Sequence, residues 1–121
     1  MENETLKILK TRRSIRKFND RKIPDHILKQ ILEAGTYAPT GMNRQSPHII
    51  VFNDEDQIKE LGKINASFSN NPNRDPFYGA KTVILVIAEK LGTTYIQDGS
   101  AVITNIINAA WSLGVGSCWI H

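Results

Sequence analysis

The sequence predicts one domain that contains both helices and strands, and three observations support this. Four segments carry apolar residues at helical spacing, and two short apolar runs, at 48–52 and 82–88, have strand character. No repeat, low-complexity segment or linker divides the 121 residues. The composition, 40% hydrophobic and 22% charged, is ordinary for a folded globular domain and argues against a disordered chain.

The first part of the chain predicts two helices and then a strand. Apolar spacing indicates a short helix over residues 5–10. Pro24 opens a second helix that continues to about Ala34, and Gly35 provides its stop. The turn-rich segment 38–47 then leads into the strand at 48–52, HIIVF.

The second part predicts a helix, a long loop and a strand. Asp54 and Gln57 have the spacing of a capping box, which begins a helix that includes Ile64. Residues 65–78 form a polar loop that is either a binding loop or locally disordered. The continuous β-branched run at 82–88 predicts a strand buried on both faces, central in its sheet.

The last predicted helix runs from about Tyr95 to Leu113 and is apolar around most of its circumference. A domain of this size cannot cover all of that surface alone, so we expect a homodimer packed through this helix. Gly114 and Gly116 end the helix, and the following residues predict the start of another strand. Because the sequence stops within that strand, we expect a domain over 1–121 that lacks a C-terminal portion.

The segment RRSIRKF, residues 12–18, is the most distinctive motif. In an extended chain Arg12, Ser14 and Arg16 lie on one face, where two guanidinium groups and a hydroxyl match a phosphate. The alternative is a solvated basic surface. Residues 1–30 carry a net charge of +5 and the remainder −2, which favours a phosphorylated small molecule over a nucleic acid.

Other chemistries find little support in the sequence. Three histidines, at 26, 48 and 121, lie in different predicted elements, so no metal site is expected. The single cysteine, Cys118, cannot form an internal disulfide and is predicted to be a buried strand residue. There is no nucleophile elbow, P-loop or dinucleotide motif, and no catalytic side chain is assigned. Without a signal peptide or a membrane-length apolar run, we expect a cytoplasmic protein that contacts no membrane.

Four segments taken in order resemble the short, single-domain branch of the FMN-dependent nitroreductase family. They are RRSIRKF, APTGMNRQSPHIIVF, YGAKTVILV and DGSAVITNIINAAWSLGVGSCWIH. The resemblance implies an α+β fold, in which helices flank a mainly antiparallel sheet and the long central helix is buried. It also implies an intertwined homodimer with one FMN in each of two interface sites.

The resemblance further implies which residues contact FMN. Four of them would hold the phosphate and ribityl chain: Arg12, Arg13, Ser14 and Arg16. Four would approach the flavin from the partner subunit: Pro39, Thr40, Asn43 and Gln45. Independently of the resemblance, the amides of Asn43 and Gln45 suit the edge of a polar heterocycle. Four would lie beside the isoalloxazine ring: Cys118, Trp119, Ile120 and His121.

The chain departs from the family pattern in two places. Lys81 stands where family members commonly have proline, and members continue for several dozen residues beyond the position of His121. The portion beyond His121 usually supplies further flavin contacts and an extension that wraps the partner. Its absence would weaken both FMN binding and the dimer.

The implied activity is hydride transfer from NADH or NADPH to flavin N5 and then, by a ping-pong mechanism, to a nitroaromatic, a quinone or a similar small acceptor. The flavin carries the chemistry, so no side-chain acid or base is required. Two alternatives remain open. One is a flavin-binding or storage protein with little turnover, and the other is a nucleic-acid module that uses the basic run.

Overall fold

The computed structural model describes residues 2–121. The elements follow the predicted order: helix α1 (Glu4–Thr11), helix α2 (Asp25–Thr36), a 3₁₀ turn (Gly41–Asn43), strand β1 (His48–Phe52), helix α3 (Glu55–Ser67), strand β2 (Val83–Ile87) and helix α4 (Tyr95–Ser112). Every helix among these residues is too short or too polar to cross a lipid bilayer.

Side-chain and backbone caps fix the ends of the helices. Asp54 Oδ1 accepts a 3.0 Å hydrogen bond from the Gln57 backbone N–H, which confirms the predicted start of α3. Helix α4 ends with Gly114 in the left-handed region at φ 77°, and the Val115 N–H donates to the Ala110 carbonyl at 2.8 Å. This is a Schellman end, which requires a residue that tolerates positive φ.

The prediction that Gly35 stops α2 is wrong. Gly35 lies inside the helix, which continues to Thr36. A Cβ atom at Gly35 would come within 2.9 Å of Ile106 Cγ1 and 3.0 Å of Ile49 Cδ1. The glycine therefore permits close packing of α2 on α4 and β1, and at the end of α2 the Asn105 side chain donates to the Ala34 carbonyl at 3.0 Å.

The two strands form an antiparallel ribbon in which His48 lies opposite Ile87 and Phe52 opposite Val83. The prediction that the second strand is buried on both faces is wrong, because no residue of β2 is fully buried and Ile87 is 45% exposed. Ile84 and Val86 pack on the core around α4. Successive residues alternate faces, so Leu85 and Ile87 lie on the opposite face, and within residues 2–121 β2 pairs with β1 alone.

Helix α4 is the centre of the core, as the sequence predicts. Its buried residues Val102, Ile106 and Ala110 recur every four positions and pack with Ile31 of α2. The Trp111 indole N–H donates to the Thr11 hydroxyl at 3.1 Å, which links α4 to the end of α1. The N-terminal helix and the basic run after it are thereby attached to the central helix.

The segment predicted as a loop over 65–78 begins later, because α3 continues to Ser67. Its second half is packed: Phe77 is 9% exposed, and Pro76 is also buried. The Asp75 carboxylate accepts hydrogen bonds from the N–H groups of Phe77 at 2.9 Å and Gly79 at 2.7 Å. These contacts favour a binding loop over local disorder.

Candidate functional site

The basic run lies in extended conformation beside the last residues of the chain. Ser14 and Ser117 form a parallel bridge, and the Ile15 N–H donates to the Ser117 carbonyl at 2.9 Å. A Cβ atom at Gly116 would lie 3.0 Å from Ile15 Cγ1, so the close pairing depends on this glycine. The strand predicted after Gly116 is limited to this one bridge, and Cys118 is half-buried outside any strand rather than buried within one.

A cleft of about 440 Å³ opens beside this bridge. Five residues that the resemblance implies line it: Arg16, Cys118, Trp119, Ile120 and His121. The pairing of the two segments explains their proximity, since Arg16 lies two residues after Ser14, and the stretch 118–121 directly follows Ser117. The structure thus brings together one cation of the basic run and the whole stretch expected beside the flavin ring.

Five further residues line the same cleft and were missed by motif matching: Asn65, Phe68, Ser69, Arg74 and Tyr78. They come from the end of α3 and the loop that Phe77 anchors. Tyr78 has φ 54°, a left-handed conformation that is uncommon for an aromatic residue. The sequence contains only a weak indication that these residues belong to a site, namely an arginine and aromatic residues in an otherwise polar loop.

The arginines of the basic run differ in their contacts. Arg13 Nη1 donates to the Lys10 carbonyl at 3.0 Å and to the Arg12 carbonyl at 2.9 Å, so Arg13 caps the end of α1. Among residues 2–121, the ion pairs and side-chain hydrogen bonds include neither the half-buried Arg12 nor the exposed Arg16. The guanidinium donors of Arg12 and Arg16 therefore have no protein partner among residues 2–121. Arg12, Arg13 and Ser14 do not line the cleft itself.

The turn that carries Asn43 and Gln45 has a strained backbone. Met42, Asn43 and Gln45 have φ values of 53°, 54° and 52°. Within the turn, the Gln45 side-chain amide donates to Asn43 Oδ1 at 2.9 Å, and the Gln45 backbone N–H donates to Thr40 Oγ1 at 3.0 Å. Non-glycine residues in such conformations cluster at functional sites. The exposed amides are thus held against each other in one orientation.

The turn is attached to α4 through Asp98, which sequence reasoning did not select. Asp98 is 6% exposed; its Oδ1 accepts from the Gly41 N–H at 2.9 Å and its Oδ2 accepts from the Thr94 hydroxyl at 3.1 Å. A side chain at Gly41 would clash with the Thr94 hydroxyl. The only hint in the sequence was an acidic residue within an apolar helix.

The turn does not reach the cleft of the same chain. Gln45 lines a separate cleft of about 470 Å³ with residues such as His48 and Tyr95. Pro39 is exposed, and Thr40 precedes the 3₁₀ turn. Of the residues implied for the flavin, five therefore line the first cleft, whereas Gln45 lines the second.

Comparison with known proteins agrees with this architecture. The family model described as "Nitroreductase family" matches residues 9–75. A protein of Archaeoglobus fulgidus, provisionally named NADH dehydrogenase/NAD(P)H nitroreductase, is 37% identical over 97% of this chain and 67% of its own length.

Two solved structures have the same fold. The nitroreductase with bound FMN from Bacteroides fragilis superimposes with a TM-score of 0.92 at 32% identity, covering 98% of this chain and 70% of that one. The FMN-dependent nitroreductase from Clostridium difficile superimposes with a TM-score of 0.88 at 34% identity, covering 98% of this chain and 60% of that one. The expected nitroreductase-like α+β fold is thereby confirmed, and the chain belongs to the nitroreductase family.

Proposed function

We propose that this chain binds FMN in the 440 Å³ cleft and acts as an NAD(P)H-dependent oxidoreductase. The observation that carries the proposal is the Ser14–Ser117 bridge, because it places a cationic segment beside the segment that lines the cleft. The family relationship and the FMN bound by the Bacteroides fragilis nitroreductase support the same conclusion.

The residues present fit FMN. Arg12 and Arg16 make no ion pair within residues 2–121, and guanidinium groups pair bidentately with phosphate oxygens. The cleft volume lies in the range typical of small-molecule sites. We assign the phosphate end to Arg16, which lines the cleft, and to Arg12 and Ser14, which share its face of the extended run outside the cleft lining. Arg13 is bonded to carbonyl groups at the end of α1 and is not assigned to the phosphate.

The wall formed by residues 118–121 would lie along the ring, and the 46% exposure of Trp119 leaves apolar surface for stacking. When bound, FMN supplies hydride acceptance and donation at N5, so the chain needs no acid or base of its own. The chain's task is to bind, orient and exclude water. Arg74, the second arginine that lines the cleft, would favour a negatively charged reduced cofactor electrostatically.

We propose a homodimer that completes the site. Gln45 lines the second cleft, and its side-chain amide donates to Asn43 Oδ1 in the same strained turn. Because this turn does not line the first cleft, a partner subunit would have to bring the two amides to the flavin. The outer face of the β1–β2 ribbon is also unburied, with Ile50 38% and Ile87 45% exposed. Apolar surface of this kind is covered in an obligate dimer.

The acceptor is proposed from the chemistry of the cleft. Phe68, Tyr78 and Trp119 all line it, and aromatic walls bind planar molecules by stacking. Nitroaromatics and quinones have this shape. A cytoplasmic protein without nucleic-acid or membrane contacts is consistent with this small-molecule role.

The test begins with the absorbance spectrum of the purified protein and a titration with FMN. We expect the bands of oxidised flavin, their bleaching by NADH or NADPH without oxygen, and their return on addition of a nitroaromatic or quinone. Bound flavin that neither nucleotide reduces would identify a storage protein instead. A protein that takes up no FMN would refute the proposal.

A matched pair of variants tests the position of the phosphate. Arg16→Ala should raise the Kd for FMN about tenfold, since one charge-assisted contact is lost. Lys17→Ala is the control, because Lys17 is an exposed neighbour that does not line the cleft. Riboflavin, which has no phosphate, should bind both variants equally. Equal losses of FMN affinity in the two variants would indicate a diffuse basic surface rather than an anchor.

A further inference from the structure

We infer that Asp98 is a positioning residue, which holds residues 40–45 in the conformation that presents the Asn43 and Gln45 amides to the cofactor. The inference rests on the proposed function, because it assigns those amides to the flavin. Asp98 acts through the Gly41 backbone and the Thr94 hydroxyl, and it is not proposed to touch the flavin.

The burial of Asp98 requires an explanation. Within residues 2–121 it is the only charged side chain that is buried, at 6% exposure. A carboxylate loses its hydration on burial, and this is tolerated only when hydrogen bonds replace the lost water. Both oxygens are satisfied here, one by the Gly41 N–H at 2.9 Å and the other by the Thr94 hydroxyl at 3.1 Å.

The partners of the carboxylate show what it holds. Gly41 is 57 positions away in the sequence and begins the 3₁₀ turn, so this bond joins the turn to the first part of α4. Thr94 is the residue before α4 and fixes the second oxygen of Asp98. Gly41 must be glycine, because any Cβ would clash with the Thr94 hydroxyl. Three residues from two segments therefore form one latch: Gly41, Thr94 and Asp98.

The turn needs such a latch because its own backbone is strained. Positive φ at Met42, Asn43 and Gln45 is unfavourable for side-chain-bearing residues and persists only when neighbours enforce it. The hydrogen bonds inside the turn set its internal shape, including the 2.9 Å contact between the two amides. They do not fix the turn against the helix, whereas the bond from Gly41 to Asp98 does.

A turn released from α4 would present the amides in many orientations. Binding would then have to order them, and the ordering cost weakens affinity. The loss should fall on the ring end of the cofactor, since the amides suit the edge of a heterocycle, and the phosphate contacts should remain. Riboflavin and FMN should therefore be weakened by the same factor.

Three substitutions in the holoprotein test whether the two hydrogen bonds to Asp98 position the turn for flavin binding. Asp98→Ala removes both acceptors, and we expect its Kd for FMN to rise at least tenfold, equivalent to about 1.4 kcal/mol. Asp98→Asn keeps Oδ1 for Gly41 and gives Thr94 a donor in place of an acceptor, so it should stay within threefold of wild type. Thr94→Val removes one bond and should raise Kd about threefold. Thr104→Val is its control, because the Thr104 hydroxyl bonds only within α4.

Three measurements are made on each variant. A flavin titration gives the Kd, thermal unfolding without FMN gives the unfolding temperature, and a redox titration at saturating FMN gives the midpoint potential. If alignment of the amides favours reduced over oxidised flavin tenfold, Asp98→Ala lowers the two-electron midpoint potential by about 30 mV, and Asp98→Asn restores it. A purely structural role would lower the unfolding temperature and leave the potential of the loaded protein unchanged.

The outcomes are distinct. Unchanged FMN affinity and potential in Asp98→Ala, in a protein whose wild type binds FMN, would overturn this inference alone. Asp98→Asn as weak as Asp98→Ala would also overturn it, because charge rather than geometry would then be responsible. If Asp98→Ala does not fold, Thr94→Val decides, and a Kd equal to that of Thr104→Val refutes the latch. A wild type without FMN affinity refutes the proposed function and the inference together.

Discussion

Two buried helical glycines should respond in opposite ways to alanine substitution. Gly35 and Gly62 lie inside α2 and α3, and both are buried. In a helix interior, replacing glycine with alanine contributes about 1 kcal/mol through the reduced backbone entropy of the unfolded chain. The difference between the two sites therefore depends on what the new methyl group meets.

At Gly62 the methyl group would find ordinary contacts, 3.6 Å from Pro76 Cδ and from Phe77 Cε2. Gly62→Ala should stabilise the protein by about 1 kcal/mol, and burial of the methyl group adds a few tenths more. At Gly35 the methyl group would lie 2.9 Å from Cγ1 of Ile106, a core side chain that is only 6% exposed. Overpacking typically costs about 1–3 kcal/mol. Gly35→Ala should thus destabilise by about 1 kcal/mol after the helical gain is included.

The assay is urea unfolding of the FMN-free protein, followed by circular dichroism, with thermal unfolding as a second measurement. FMN is left out because a ligand raises the apparent stability by mass action. For a domain of this size, 1 kcal/mol corresponds to a shift of about 4 °C, so the two variants should differ by about 8 °C. A Gly35→Ala protein as stable as Gly62→Ala would refute the conclusion that close helix packing, and not a helix stop, requires Gly35.

Three further changes test other elements. Asp54→Ala removes the acceptor for the Gln57 N–H and should destabilise α3 by about 1 kcal/mol, seen as a lower urea midpoint at constant m value. Gly114→Ala places a side chain at φ 77° with no other atom within 4 Å, so only the backbone conformation is unfavourable. Calorimetry should show that the free energy of unfolding falls by about 1 kcal/mol. A variant as stable as wild type would contradict the Schellman assignment. Phe77→Ala removes a buried ring and should lower the free energy of unfolding by about 3–5 kcal/mol. A protease should then cut the variant first near Tyr78. A loop that stays resistant to proteolysis would mean that Phe77 does not anchor it.

Local signals in the sequence predicted most of the fold. The Asp54 cap, the proline before α2 and the glycine after α4 act through neighbouring backbone groups, so a single segment contains all the information. Gly35 was misinterpreted because a glycine that ends a helix and a glycine that admits a packed side chain look identical in sequence. The burial of β2 was overestimated for a related reason, since a β-branched run does not show whether one or both faces are covered.

Site residues could be predicted from the sequence only where a local motif determines the direction of its side chains. Alternation of side chains along an extended chain selected Arg12, Ser14 and Arg16, and the bridge at Ser14 agrees with extended backbone there. Asp98 could not be selected in this way, because its role depends on Gly41, which lies 57 positions away. The same is true of Arg74 and Tyr78, whose place at the cleft depends on the burial of Phe77.

The residues implied for the flavin ring lie apart in one chain: residues 118–121 line the first cleft, and the turn at 40–45 does not. If, as proposed, one chain supplies the cation and the ring-facing wall and its partner supplies the amide turn, the cleft is complete only after association. The turn must then have the correct shape before a partner arrives, since each disordered residue adds to the cost of binding. Its strained backbone and its attachment to Asp98 meet this requirement at a cost to the stability of the single chain. Loss of the latch should therefore weaken FMN binding as well as the fold.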